Sequence, residues 1–147
     1  MIDPVNCPYY LVSRVTLMVT SALKKGLVAA GVADVRPSYL GALLALWQED
    51  ALKVVELGRR SGLETSTMTG LIDRMERDGL VERRDDANDR RVQRINLTEK
   101  GREAMNPSLA AVDKILATVF AGVSEEDLSK TTDVLRRVLA NSHEGNS

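Results

Sequence analysis

The 147 residues predict a mainly α fold (α+β), in which helices precede and follow a single β-hairpin. Three observations lead there. Apolar residues recur at helical spacing towards both ends of the chain, Gly79 separates a helical pattern from an alternating one, and residues 85–90 are rich in turn formers. With 44% hydrophobic and 28% charged residues, the chain can build the core of an ordinary globular protein. Its length fits one domain, residues 1–147, and excludes two full ones.

The first helix is expected over 8–30, with Leu11, Val15, Met18 and Ala22 near one face and Gly31 at its end. Pro37 disfavours helix at Arg36, so the second helix is placed at 38–48 with Ser38 as N-cap. Its Leu40, Leu43, Leu44 and Trp47 read as core. Two short helices follow, 54–61 and 66–78, joined by a turn containing Gly62, which is a helix-turn-helix pattern. In the second, Met68, Leu71, Ile72 and Met75 are spaced i, i+3, i+4, i+7, a buried stripe that leaves Ser66, Thr67, Gly70, Asp73, Arg74 and Arg77 outside. Gly79 suits a left-handed residue after the helix, with Leu80 packing back on Met75.

Residues 80–84 and 91–97 then read as two strands, and 85–90, with Asp85, Asp86, Asn88 and Asp89, as the tip between them. This hairpin is the candidate wing, which makes 38–101 a winged helix-turn-helix. Thr98 is the expected N-cap of the next helix, and Pro107 predicts a kink or break near Asn106. Ser124 opens an approximate capping box before a last helix whose apolar face carries Leu128, Leu135, Val138 and Leu139. Residues 141–147 are expected to fray. The terminal helices, 8–30 and 102–141, carry apolar stripes with no sheet to cover, so pairing of two copies is expected to bury them.

Charge alone says little about function. The net charge is -1, but residues 53–102 hold 12 basic against 10 acidic side chains, a slight excess where DNA would be read. Met1-Ile2-Asp3-Pro4 does not read as a secretory signal, and the longest nearly apolar run, 40–47, is too short for a membrane span. A cytoplasmic location without membrane contact is expected. One cysteine, Cys7, and one histidine, His143, are too few for a disulfide framework or the usual zinc site, so neither metal nor cofactor is expected.

The major groove of B-DNA admits one α-helix, and its base edges are met by side chains near the helix start. Ser66, Thr67 and Thr69 offer small hydroxyls for bases or phosphates, and the helix N-terminus itself favours an anion. Arg74 and Arg77 are suited to phosphates or guanine. On the hairpin, Arg90 and Arg91 are placed to reach a minor groove, whose negative potential attracts arginine, and Asp89 can fix the direction of Arg91. Double-stranded DNA is therefore the expected partner. The competing reading is simple: a capping hydroxyl, a solvated row of arginines and a polar turn.

Residues 54–101 carry a resemblance to a known family. Glu56-Leu57-Gly58, Thr67-Met68-Thr69, Leu71-Ile72-Asp73-Arg74-Met75-Glu76, Asp78-Gly79-Leu80-Val81, Asp89-Arg90-Arg91 and Leu97-Thr98-Glu99-Lys100-Gly101 together resemble the MarR family of regulators. The strong match covers about a third of the chain, and the other helices are compatible in length and order. The resemblance implies a homodimer whose terminal helices interlock, each winged helix facing half of a pseudopalindrome, and transcriptional control that is usually repression. It places Ser66, Thr67, Thr69 and Arg74 at recognition-helix positions and Asp89 and Arg91 at the wing pair. Arg77 and Arg90 are added from charge and location.

Members of this family often release DNA on binding a small aromatic or phenolic compound, for which Tyr10, Arg14, Tyr39 and Trp47 are the candidate lining residues. Trp47 equally suits the core. Some relatives sense organic hydroperoxides through an N-terminal cysteine, and Cys7 lies near the first helix start, where a thiol pKa is lowered; its Cys-Pro-Tyr-Tyr context does not match the tyrosine arrangement of those sensors. Two other classes compete. A winged helix used only for protein interaction fits the near-neutral charge, and an enzyme lacks both a Ser-His-Asp or Cys-His set and a glycine-rich phosphate loop.

Overall fold

A computed structural model of the chain describes residues 1–144, which fall into two compact units, one of residues 1–115 and one beginning at Leu116. In the first unit, helix α1 (Pro8–Ala29) begins with Pro8 at its first position, where the missing N–H has no partner to lose. It ends at Ala30, with Gly31 in the left-handed region as expected. The second helix starts later than its sequence suggests. Pro37–Tyr39 form a 3-10 turn and α2 runs Leu40–Gln48, so Ser38 lies inside the turn and caps nothing; Pro37 fixes the backbone at that point and Arg36 takes the cap position. Leu44, expected in the core, is 41% exposed because it shares the outer line of α2 with Gly41 and Gln48.

A two-residue strand that the sequence pattern does not signal, β1 (Leu52–Lys53), precedes helix α3 (Val54–Ser61). It pairs antiparallel with β3 (Gln93–Leu97), Leu52 opposite Ile95, and β3 pairs antiparallel with β2 (Val81–Asp85). The hairpin is thus the larger part of a three-stranded sheet in the order β1-β3-β2. The first strand begins one residue later than expected because Leu80 is used by the helix before it, and the second begins two later because Val92 still belongs to the turn, its N–H donating to the Asp89 carbonyl at 3.0 Å.

That helix, α4 (Thr65–Arg77), buries Met68, Leu71, Ile72 and Met75 against Tyr39, Leu43, Leu57 and Ile95. Each such side chain contributes about 1.5–3 kcal/mol of transfer free energy before conformational entropy is charged against it. The cap is the expected one. Leu80 N–H donates to the Met75 carbonyl at 2.9 Å and Gly79 N–H to the Glu76 carbonyl at 3.0 Å, with Gly79 at φ 78°.

Thr98 accepts from the Gly101 N–H at 3.0 Å and caps α5 (Glu99–Glu103). The break attributed to Pro107 falls earlier, at Ala104, and α6 (Met105–Val119) begins there. Pro107 lies in the first turn of α6, where no N–H is needed, so the proline is accommodated without a kink at Asn106.

In the second unit, the final turn of α6 leads through Gly122 to α7 (Glu125–Glu144). Ser124 Oγ accepts from the Asp127 N–H at 3.1 Å, the capping bond expected of its sequence. Helix continues through Glu144, so the fray expected from Asn141 begins no earlier than that; residues 145–147 and the His143 side chain lie outside the described residues. Leu135, Val138 and Leu139 are exposed within this unit, as are Tyr9, Leu11, Val12, Val15 and Met18 of α1 in the first. No helix among the described residues is long and apolar enough to cross a membrane.

Candidate nucleic-acid interface

Helices α3 and α4 form the helix-turn-helix, and the start of α4 decides what it can offer. Its N-cap is Glu64, whose side chain makes no capping bond. Thr65 and Ser66 therefore cap nothing, which corrects the bland reading of these hydroxyls. They lie inside the first turn with Thr67, all three exposed, beside backbone N–H groups that no side chain satisfies. Thr69 is exposed too, and its hydroxyl donates back to the Thr65 carbonyl at 3.3 Å while keeping its lone pairs. An uncapped, hydroxyl-rich helix start is chemically an anion and base-edge receptor.

Further along, Arg74 and Arg77 are exposed. Arg74 makes no ion pair among the described residues, and Arg77 Nε lies 3.4 Å from Asp78 Oδ1. Asp78 is more firmly held from the other side. Tyr39, wholly buried, donates its hydroxyl to Asp78 Oδ2 at 2.6 Å, and Arg36 Nε stands 3.4 Å from the same oxygen. The Tyr39 hydrogen bond, with help from Arg77 and Arg36, keeps the Asp78 carboxyl below its usual value, while burial and Asp78 push the Tyr39 phenol up. The C-terminus of α4 is thereby tied to the turn before α2.

The wing is braced at its base and open at its tip. Asp86, 6% exposed, accepts from the Asn88 and Asp89 N–H groups and from Arg94 Nε at 2.5 Å. Arg94 also donates to the Ala51 carbonyl at 2.8 Å, which carries the brace across to the chain before β1. Arg94, then the Asn88 N–H, lower the Asp86 pKa. At the tip, Asp89 holds Arg91 in a fork: Nε to Oδ1 at 3.1 Å and Nη2 to Oδ2 at 3.3 Å, with the Arg91 N–H also on Oδ1. Arg91 lowers the Asp89 carboxyl pKa in return, and its own side chain stays 90% exposed. Arg90 beside it is exposed and makes no ion pair among the described residues.

Of the four residues expected to line a ligand cavity, two lie in or against the core and two on the exposed surface of α1. Tyr39 is sealed in the core, and Trp47 is half-buried with Nε1 donating to the Gly101 carbonyl at 2.9 Å, so the hydrogen-bonding hydrogens of both rings are spent within the chain. Tyr10 and Arg14 are exposed on α1. A groove of about 400 Å³ between α1 and the 3-10 turn is lined instead by residues such as Thr20, Lys24, Arg36 and Ser38. Cys7 is half-buried at the N-cap of α1. No cluster of His, Cys, Asp and Glu able to hold a metal occurs among the described residues.

Several supporting residues escape sequence reasoning. The side chains of Arg94, Arg83 and Asp78 find partners across gaps of 7 to 43 positions, and only the hairpin alternation hints at the pairing of Arg94 with Asp86.

Comparison with known proteins places this arrangement in company. The family model described as "MarR family" matches residues 37–92. An organic hydroperoxide resistance transcriptional regulator of Bacillus subtilis (strain 168) is 34% identical over 110 residues, covering 75% of this chain and 73% of that protein. The crystal structure of CouR from Rhodococcus jostii RHA1 bound to p-coumaroyl-CoA is similar over 95% of this chain and 96% of its own, with 26% identity and a TM-score of 0.76. The Mycobacterium tuberculosis regulator MOSR, crystallised in complex with DNA, matches over 97% and 100% at 25% identity, TM-score 0.81.

Proposed function

The chain belongs to the MarR family of transcriptional regulators, and from that membership we propose that it represses transcription by occupying a pseudopalindromic operator as a homodimer. The observation that carries this reading is the uncapped, exposed first turn of α4 on a helix whose opposite face is fully buried. Ser66, Thr67 and Thr69 meet base edges and phosphates in the major groove, Arg74 and Arg77 hold phosphates or read guanine, and Arg91, aimed by Asp89 and accompanied by Arg90, enters a minor groove. The DNA complex of the Mycobacterium tuberculosis relative supports the partner. Pairing covers the exposed apolar faces of α1 and α7 and presents two half-sites about 34–36 Å apart.

The test is selection of bound genomic fragments with purified protein. One enriched motif with two half-sites is the expected result, and its affinity falls steeply with salt as counterions leave the phosphates. Recovery of no enriched sequence overturns the reading.

An effector belongs to the same proposal, a small aromatic or phenolic compound, since the Rhodococcus relative holds p-coumaroyl-CoA. Of the four residues first considered for it, Tyr10 and Arg14 keep free polar groups. The name of the Bacillus subtilis relative favours a second reading, oxidation of Cys7 as the signal. If peroxide alters operator binding equally in the wild type and in Cys7→Ser, or in neither, that second reading is lost.

A further inference from the structure

Two of the side chains on the outer half of α4 are acids, which is a poor choice for a helix that approaches phosphates. Ser66, Gly70, Asp73 and Arg77 are spaced i, i+4, i+7, i+11, one line down the exposed face, and Thr69, Asp73 and Glu76 form the line beside it. Left to themselves, Asp73 and Glu76 would cancel the charge of Arg74 and Arg77. They are not left to themselves. Arg83, on β2, donates from Nη2 to Asp73 Oδ1 at 2.6 Å and from Nη1 to Glu76 Oε1 at 2.9 Å, and its backbone N–H reaches Glu76 Oε2 at 3.2 Å.

We propose that Arg83 is a positioning residue for DNA binding: an internal counter-ion that neutralises the acidic line of α4 without itself touching DNA. The inference rests on the DNA-binding reading above. Arg83 is suited to this and not to phosphate. Its side chain is only 21% exposed, both terminal nitrogens are engaged, and the planar fork serves two carboxylates at once. With Arg83 in place, the outer half of α4 faces DNA with three cations against two carboxylates; without it the two signs balance. The neighbouring Arg84 cannot substitute, being paired with Glu82.

The measurement is the affinity of the full chain for a selected operator fragment, by fluorescence anisotropy, across four proteins: wild type, R83Q, D73N/E76Q, and R83Q/D73N/E76Q. We expect R83Q to weaken binding about tenfold, a loss of the size one arginine carries at a DNA interface. D73N/E76Q should bind as tightly as wild type or more so, and adding R83Q to it should change affinity by less than about threefold, since there is then no acid to neutralise. An equal tenfold loss from R83Q in both backgrounds overturns the proposal and makes Arg83 a phosphate contact. Weakened binding by D73N/E76Q also overturns it, because the bridge would then only hold α4 against the sheet. If R83Q fails to fold, the D73N/E76Q result alone decides. Absence of salt-dependent binding by the wild type removes the DNA reading itself, an outcome separate from all of these.

Discussion

Gly101 illustrates how much one residue decides. A Cβ built there would lie 2.1 Å from the Leu80 carbonyl oxygen, which already accepts from the Thr98 N–H, so neither backbone can yield. Gly101→Ala is expected to destabilise the fold by about 3 kcal/mol or more, read as a large drop in melting temperature. Tyr39 is a gentler case. Tyr39→Phe removes the donor that holds Asp78 and should lower stability by about 2 kcal/mol, measured by denaturant unfolding. Arg91 differs from both because its side chain is 90% exposed and bonds only to the nearby Asp89, a surface pair that contributes little to stability. Arg91→Ala should reduce operator affinity about 10- to 100-fold with an unchanged melting temperature; unchanged affinity would remove the wing from the mechanism. Of these, Arg91 was visible in the sequence through its neighbours Asp89 and Arg90. Gly101 was visible only as part of a family pattern, because the atom it must avoid is 21 residues away.

Among the elements, the wing combines a rigid base with an exposed tip, and its rigidity should depend on pH. Arg94 and the turn N–H groups hold Asp86 ionised below its ordinary value of 3.8. A depressed carboxyl stabilises the folded wing above 3.8 and loses that contribution as pH falls through its lowered value. Melting temperatures measured from pH 5 to pH 2 should therefore fall at the acid end, and Asp86→Asn should lie lower at neutral pH while losing less on acidification. An acid limb identical in both proteins would assign the fall to Asp78, Asp89 and Glu56, whose pKa values are also lowered, Glu56 to about 2 by Arg59 and Arg60. The helices teach a different lesson. Pro107 correctly signals an interruption, but its effect is to begin α6 and not to bend it, because a proline in a first turn has no backbone bond to break.

On the scale of the molecule, the exposed apolar residues of α1 and α7 carry the expectation of a dimer. Sedimentation at micromolar concentration should give a two-chain species, and Leu139→Asp should shift it towards monomer with unchanged helix content. A wild-type monomer would contradict the homodimer and with it the two-half-site operator. Bulk charge, at -1, predicts nothing here; what matters is how opposite charges are distributed and paired over α4 and the hairpin.

The sequence by itself determined the order of elements, the buried stripe of α4, the Gly79 cap, the Thr98 cap and the arginine-tipped hairpin. All of these follow from spacing of at most a few residues, where backbone geometry leaves few alternatives. Only the tertiary structure decided that α4 begins uncapped at Thr65, that β1 completes the sheet, that Tyr39 and Trp47 spend their polar hydrogens inside the chain, and that Arg83 pairs with Asp73 and Glu76, Arg94 with Asp86, and Tyr39 with Asp78. Those pairings join residues distant in sequence, and a charged side chain shows its partner only when the chain has closed around both.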